Sequence, residues 1–251
     1  MQHESPKIVS INPHVSVDCV LVGYDGEQLN VLLVKQIGKS SDGTYNDLKL
    51  PGSLIYNDED LDEAAQRVLY ELTGVKNVSL YQFRAFGSKN RTHNPKDILW
   101  LERFHSIPNS VDRIVTVGYL SMVKIDKKMT QLSEKYGASW FRIKDVGKLA
   151  FDHNQILKEA LKYIRQLVEM YPVVVFNLLP RKFTAAQLRQ LYELVYDKEF
   201  DVRNFHKKIA ATEYIVPLEE RQTGVAHRAA RFYKFDRKQY VKLYKSSKNL
   251  W

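Results

Sequence analysis

Cysteine is almost absent from this chain of 251 residues, where Cys19 stands alone. A single thiol excludes an internal disulfide and has no metal-ligand partner in the sequence, so the chain suits a reducing compartment. Its place in an apolar stretch suggests an inert core thiol rather than a nucleophile. Long apolar runs are missing as well, which argues against a membrane span, and Met1 to Pro13 lacks the basic-then-apolar plan of a secretory signal. There is no internal repeat and no low-complexity tract. The expectation is a cytoplasmic protein. What is present is a 44% hydrophobic content, typical of folded soluble protein, in a length that allows two modest domains or one large one.

An excess of one charge sign is lacking until late in the chain. Residues 1–170 carry 22 Lys/Arg against 21 Asp/Glu, whereas residues 171–251 carry 16 against 8, so nearly all of the net +9 lies in the last third. A compact basic module beside a neutral one points to a densely negative partner. Nucleic acid comes before membrane, because no basic amphipathic helix with a large apolar face appears there.

The first part reads as strands around one helix. Val15–Val22, Leu29–Val34 and Val78–Phe86 are β-rich, and the nearly continuous β-branched run Arg113–Val123 is the clearest strand. A second helix is expected over Asn154–Met170, where Ile156, Leu157, Ala160, Leu161, Ile164 and Leu167 recur at helical spacing. Tyr171-Pro172 ends it, since proline lacks the amide donor and disfavours helix in the preceding residue. This places a boundary between domains 1–170 and 171–251.

The helix of the first part carries the most specific pattern. Lys49-Leu50-Pro51-Gly52 precedes it as strand and turn, Asp60 with Glu63 marks its start, and Thr73-Gly74-Val75 closes it as a glycine-capped end. Leu61, Ala64, Ala65, Val68 and Leu72 alone would make an ordinary amphipathic core helix. Beyond that, the run from Gly52 to Val75 resembles the Nudix box, matched by Glu59, Arg67, Leu69, Glu71, Gly74 and Val75. In that family three helix carboxylates on one face gather magnesium against a substrate diphosphate, and the positions here are Val68, Glu71 and Leu72. Only one carboxylate remains, and the loop from Gly52 to Arg67 is one residue longer than the pattern. Magnesium needs oxygen ligands in near-octahedral geometry, which Val68 and Leu72 do not offer. No catalytic residue, metal or cofactor is therefore expected, and the domain reads as one that binds without hydrolysing.

The last third reads as a helix-turn-helix with a wing. Thr184 with Gln187 forms a capping-box signal, and Phe183 is placed to staple onto Leu188 in a helix running to about Tyr196. After a turn, Asp201 caps a second helix through Ala211, with Val202, Phe205 and Ile209 able to face the core. Arg203, Asn204, His206, Lys207 and Lys208 are left for groove and phosphate contacts. Tyr214–Leu218 and Arg231–Phe235 make strands around a basic loop, Glu219–Ala230, whose Arg221 and Arg228 suit a wing on backbone phosphates. A helical dimerisation or lid domain with a hairpin is the alternative for this segment.

Taken together, the chain resembles the Nudix-related transcriptional regulators, most of all in Leu149–Asn154, Leu178–Thr184 and Asp201–Ile209. Within that family it looks most similar to the arabinose-responsive regulator of Bacteroides. The resemblance implies an α/β fold, an N-terminal Nudix-like α/β/α sandwich followed by a winged helix-turn-helix. It also implies a homodimeric repressor of sugar-utilisation genes that binds palindromic double-stranded operator DNA and leaves it when a small molecule fills the Nudix pocket. Thr92–Asp112 departs from many relatives as an insertion. Asp18, Lys49, Trp100 and Glu102 are then the expected effector contacts, offering acceptors, a donor and a stacking face for a pentose, L-arabinose. Trp100 alone would equally serve to pack the insertion. Alternatives are a regulator responding to ADP-ribose or a related nucleotide, a residual hydrolase of ADP-ribose-like compounds, and an RNA-binding adaptor. The last is weakened by the lack of stacking aromatics expected on an RNA-reading sheet.

Overall fold

The computed structural model describes residues 10–40, 43–91, 97, 113–224 and 229–248. They form two compact units, one drawn from Met1–Gly23 and Asn30–Tyr163, the other from Tyr24–Leu29 and Ile164–Trp251. The division falls inside a helix, ahead of Tyr171-Pro172.

In the first unit, strands β1 (Ile11–Tyr24), β2 (Leu29–Ser40), β3 (Gly43–Lys49), β4 (Gly52–Tyr56), β5 (Tyr81–Phe86), β6 (Val115–Lys124) and β7 (Ser139–Arg142) build one seven-stranded sheet. Its order is β3-β2-β1-β6-β5, with β4 paired to β1 and β7 to β2. Alternation along β1 decides what each face receives, because successive side chains point to opposite sides. Val17, Cys19 and Leu21 pack against Ala64, Ala65, Val68 and Leu69 of helix α1 (Leu61–Thr73). Asp18 faces the other way, toward His153 at the start of helix α2 (His153–Met170), and Tyr163 of α2 lies 5.9 Å from Phe83 of β5. Helices on opposite faces give the sandwich the resemblance implies. Burial also settles Cys19, which is fully enclosed and whose thiol is pushed well above the ordinary range by desolvation.

Helix α1 ends where its local signals say. Asp60 accepts from the amides of Asp62 and Glu63, the Glu63 side chain answers the Asp60 amide, and Gly74 at φ 78° provides the left-handed close.

The second unit contains α3 (Val173–Phe176), β8 (Phe183–Thr184), α4 (Ala185–Tyr196), α5 (Val202–Ala210), β9 (Ile215–Arg221), β10 (Arg231–Phe235) and α6 (Arg237–Lys248). The three strands pair in the order β8-β10-β9 beside the helix-turn-helix, which makes this a winged helix. Thr184 and Gln187 form the expected capping box, and the Asp201 carboxylate accepts from the Asn204 amide at 2.8 Å. Glu193 organises the turn between α4 and α5: its carboxylate accepts from the Phe200 amide at 2.9 Å, and its carbonyl accepts from the Lys198 amide at 3.1 Å. Asp197 turns the chain there in the left-handed region at φ 51°.

Several features differ from the sequence reading. Val202, expected to face the core with Phe205 and Ile209, is the first residue of α5 and 52% exposed, while the other two are buried. Strand β9 runs on to Arg221, which shortens the wing loop. Helices α3 and α6 were not expected; α6 starts where the Asp236 carboxylate accepts from the Gln239 amide at 3.0 Å. Among the described residues, no helix is long and apolar enough to cross a membrane.

Candidate functional site

A cavity of about 530 Å³ opens over the box helix, lined by Val34, Lys35, Lys49, Gly52, Ser53, Tyr56, Arg67, Val68, Glu71, Leu72, Lys135 and Tyr136 together with Ile11. Its volume lies within the roughly 300–1,000 Å³ of small-molecule sites. Tertiary pairing creates it: the backbone amide of Lys35 donates to the Tyr136 carbonyl at 2.9 Å, which brings two segments a hundred residues apart to the same rim.

Both retained box carboxylates are already taken. The Arg67 guanidinium grips Glu59 through Nε at 2.7 Å and Nη2 at 2.5 Å, and reaches Glu71 through Nη1 at 3.1 Å. Glu59 also accepts from the Tyr56 amide at 2.7 Å, while Arg67 lies over the Tyr56 ring with 3.8 Å to its centroid. The family's magnesium would need oxygen ligands on this helix face, yet Val68 and Leu72 present only carbon to the cavity. The residues present do not fit that ion. Among the described residues, no group of three or more His, Cys, Asp or Glu side chains is arranged to hold a metal.

Positive charge stands where the metal cage is missing. Lys35, Lys49 and Lys135 line the cavity along with Arg67, against Glu71 as the one carboxylate among its described lining residues. Lys49 is buried, its Nζ donating to the Gly52 carbonyl at 2.7 Å, and desolvation lowers its pKa to about 8 against the opposing pull of Asp18. Tyr56 and Tyr136 add two aromatic walls.

Of the expected effector contacts, Lys49 lines this cavity. Asp18 does not: its carboxylate is buried behind Gly52, accepting from Thr116 Oγ1 at 2.7 Å, with Arg91 at 3.6 Å and His153 Nε2 at 3.4 Å. Arg91 in turn holds Asp152 with two hydrogen bonds of 3.1 and 2.9 Å and donates to the Ile114 carbonyl at 3.0 Å. His153 Nδ1 accepts from the Leu50 amide at 2.9 Å, which puts the ring proton on Nε2 facing Asp18. Burial lowers the His153 pKa to about 4, so the ring is neutral at physiological pH. Trp100 and Glu102 lie outside the described residues. Sequence reasoning missed Lys35, Tyr56, Lys135 and Tyr136, because no motif or spacing links them before the sheet is assembled.

On the second unit, Arg203, Asn204, His206, Lys207 and Lys208 are exposed on α5, while Phe205 and Ile209 anchor the helix inward. Arg221, at the end of β9, donates to the Ala229 carbonyl at 3.3 Å and so braces the wing as well as charging it. Arg228 lies outside the described residues.

The first unit is thus a Nudix-type sandwich with a cationic cavity in place of a metal site, and the second a basic winged helix. Residues 12–163 match the NUDIX domain model, which covers more than half of the chain, and residues 175–235 match the NrtR DNA-binding winged helix domain. The chain belongs to the NUDIX family. It is similar to the ADPR responsive transcriptional repressor NtrR of Acinetobacter baylyi, 23% identical over 233 residues, covering 91% of this chain and 84% of that protein. Among solved structures it resembles Shewanella oneidensis NrtR at a TM-score of 0.62 and 24% identity, covering 88% of this chain and 94% of that one. The same protein complexed with a 27mer DNA matches at a TM-score of 0.59 and 23% identity, covering 88% and 93%. These likenesses establish the shared fold.

Proposed function

We propose that this protein is a transcriptional repressor of the NrtR type. In this reading a dimer holds operator DNA through α5 and the wing, and lets go when an anionic nucleoside diphosphate compound such as ADP-ribose fills the cationic cavity. The observation that carries the effector half is the set of three lysines lining a cavity whose box carboxylates are either replaced or tied to Arg67. Fixed ammonium groups neutralise a diphosphate without metal, and the tyrosines offer a stacking face for a base.

The expectation of L-arabinose gives way here. A neutral pentose has no use for concentrated positive charge, the acceptor assigned to it at Asp18 is already engaged, and the cavity is far larger than a pentose needs. The Acinetobacter relative is named for its response to ADPR, which favours the nucleotide alternative. The DNA half is supported by the winged helix match and by a Shewanella NrtR structure that contains a 27mer DNA. Effector binding then lowers DNA affinity to the extent that the ligand prefers the DNA-incompetent state, typically about 1–3 kcal/mol.

Calorimetry in EDTA against ADP-ribose, ADP and L-arabinose, followed by anisotropy on selected duplex DNA, tests both halves. ADP-ribose is expected to bind and to release DNA without metal, and millimolar arabinose to give no heat. Binding and release by arabinose alone would overturn the effector assignment.

A further inference from the structure

Val202 is the first residue of α5, directly after the Asp201 cap, and it is 52% exposed. Its spacing from Phe205 and Ile209 would suit a core position, yet those two are buried and Val202 is not. The position gains nothing from helix propensity, where a β-branched side chain is neutral to unfavourable. Nor does its exposed surface contribute to the core. What the position has is company: Arg203, Asn204, His206 and Lys207 are exposed beside it on the same first two turns, all hydrogen-bonding or cationic.

The N-terminal residues of a recognition helix are those that reach base edges in the major groove. There an aliphatic side chain finds one specific partner, the 5-methyl group of thymine, which the other bases lack. We infer that Val202 is a specificity-determining residue that reads a thymine methyl in each half-site, beside the base pairs contacted by Arg203 and Asn204. The inference rests on the DNA-binding reading above and extends it to a named base and a named atom.

The test selects a preferred duplex from a random pool with the full-length protein. Each thymine of that duplex is then replaced singly by deoxyuridine, which deletes the methyl and leaves the pairing intact. Affinities are measured for the wild type and for Val202→Ala, with a thermal melt to establish that the variant is folded. One thymine per half-site is expected to weaken wild-type binding about 4-fold when demethylated, the worth of one buried methyl. Val202→Ala removes the contact from both half-sites of the dimer, so it is expected to lose about 16-fold on the natural duplex and to be indifferent to deoxyuridine at that one position of each half-site. If Val202→Ala keeps the full thymine-to-deoxyuridine discrimination of the wild type at every position, or if no position discriminates, the inference is overturned while DNA binding stands. Selection of no duplex at all would instead bring down the DNA-binding reading itself.

Discussion

A Cβ placed on Gly52 would stand 1.7 Å from Asp18 Oδ1. The two residues are partners across β1 and β4, so the box glycine is the wall that lets a buried carboxylate sit between Thr116, Arg91 and His153. Gly52→Ala therefore forces either the strand or the carboxylate to move. The expected loss is about 2–4 kcal/mol in chemical denaturation of the first unit. Adding Asp18→Ala removes the clash, so the double variant should lose less than the sum of the two single ones. Strict additivity would contradict this geometry.

Magnesium should be irrelevant to the first unit. No hydrolysis of ADP-ribose at about 1 per second or faster is expected with or without the ion, and ADP-ribose affinity should be the same in EDTA. Lys49→Met should weaken that binding by about 30-fold or more, as the loss of a buried charge partner does. The exposed Lys135→Ala should weaken it only about 2- to 5-fold. Calorimetry on the three proteins reads both effects, and equal losses would place the diphosphate elsewhere.

Acid should destabilise the fold through His153. Its folded pKa of about 4 lies below the unfolded value of 6.5, so the unfolded state takes up the proton first as pH falls. The stability that the neutral ring contributes is present above pH 6.5 and is lost progressively between 6.5 and 4, on the order of 2–4 kcal/mol in all. Asp97, raised to about 6 chiefly by burial, acts in the opposite sense. The comparison is therefore wild type against His153→Gln, which leaves Asp97 in both. Denaturation midpoints of the two proteins should converge as pH drops through that window, and parallel curves would sink the assignment.

On DNA, Arg203→Ala should cost about 1–3 kcal/mol at the preferred site and blur its sequence preference. Lys207→Ala should weaken all sequences alike and reduce the salt slope by about one. A salt-titrated binding assay in which the two variants behave identically would contradict the division of roles on α5.

Much of this molecule was written in short-range signals. Asp60 with Glu63, Gly74, Thr184 with Gln187, and Asp201 each mark a helix end through hydrogen bonds spanning a few residues. A chain fragment carries such information without its fold. The replaced carboxylates at Val68 and Leu72 and the excess of basic residues after Met170 were equally legible, since identity and charge need no coordinates. Tertiary structure alone decided the rest. Lys35, Lys49 and Lys135 became one cationic wall only when strand pairing joined β2 to the segment around Tyr136. Asp18 passed from apparent ligand to buried network because alternation along β1 turned it toward α2. Val202 stayed at the surface because helical spacing states which residues share a face, whereas where the core ends is set by what else packs there.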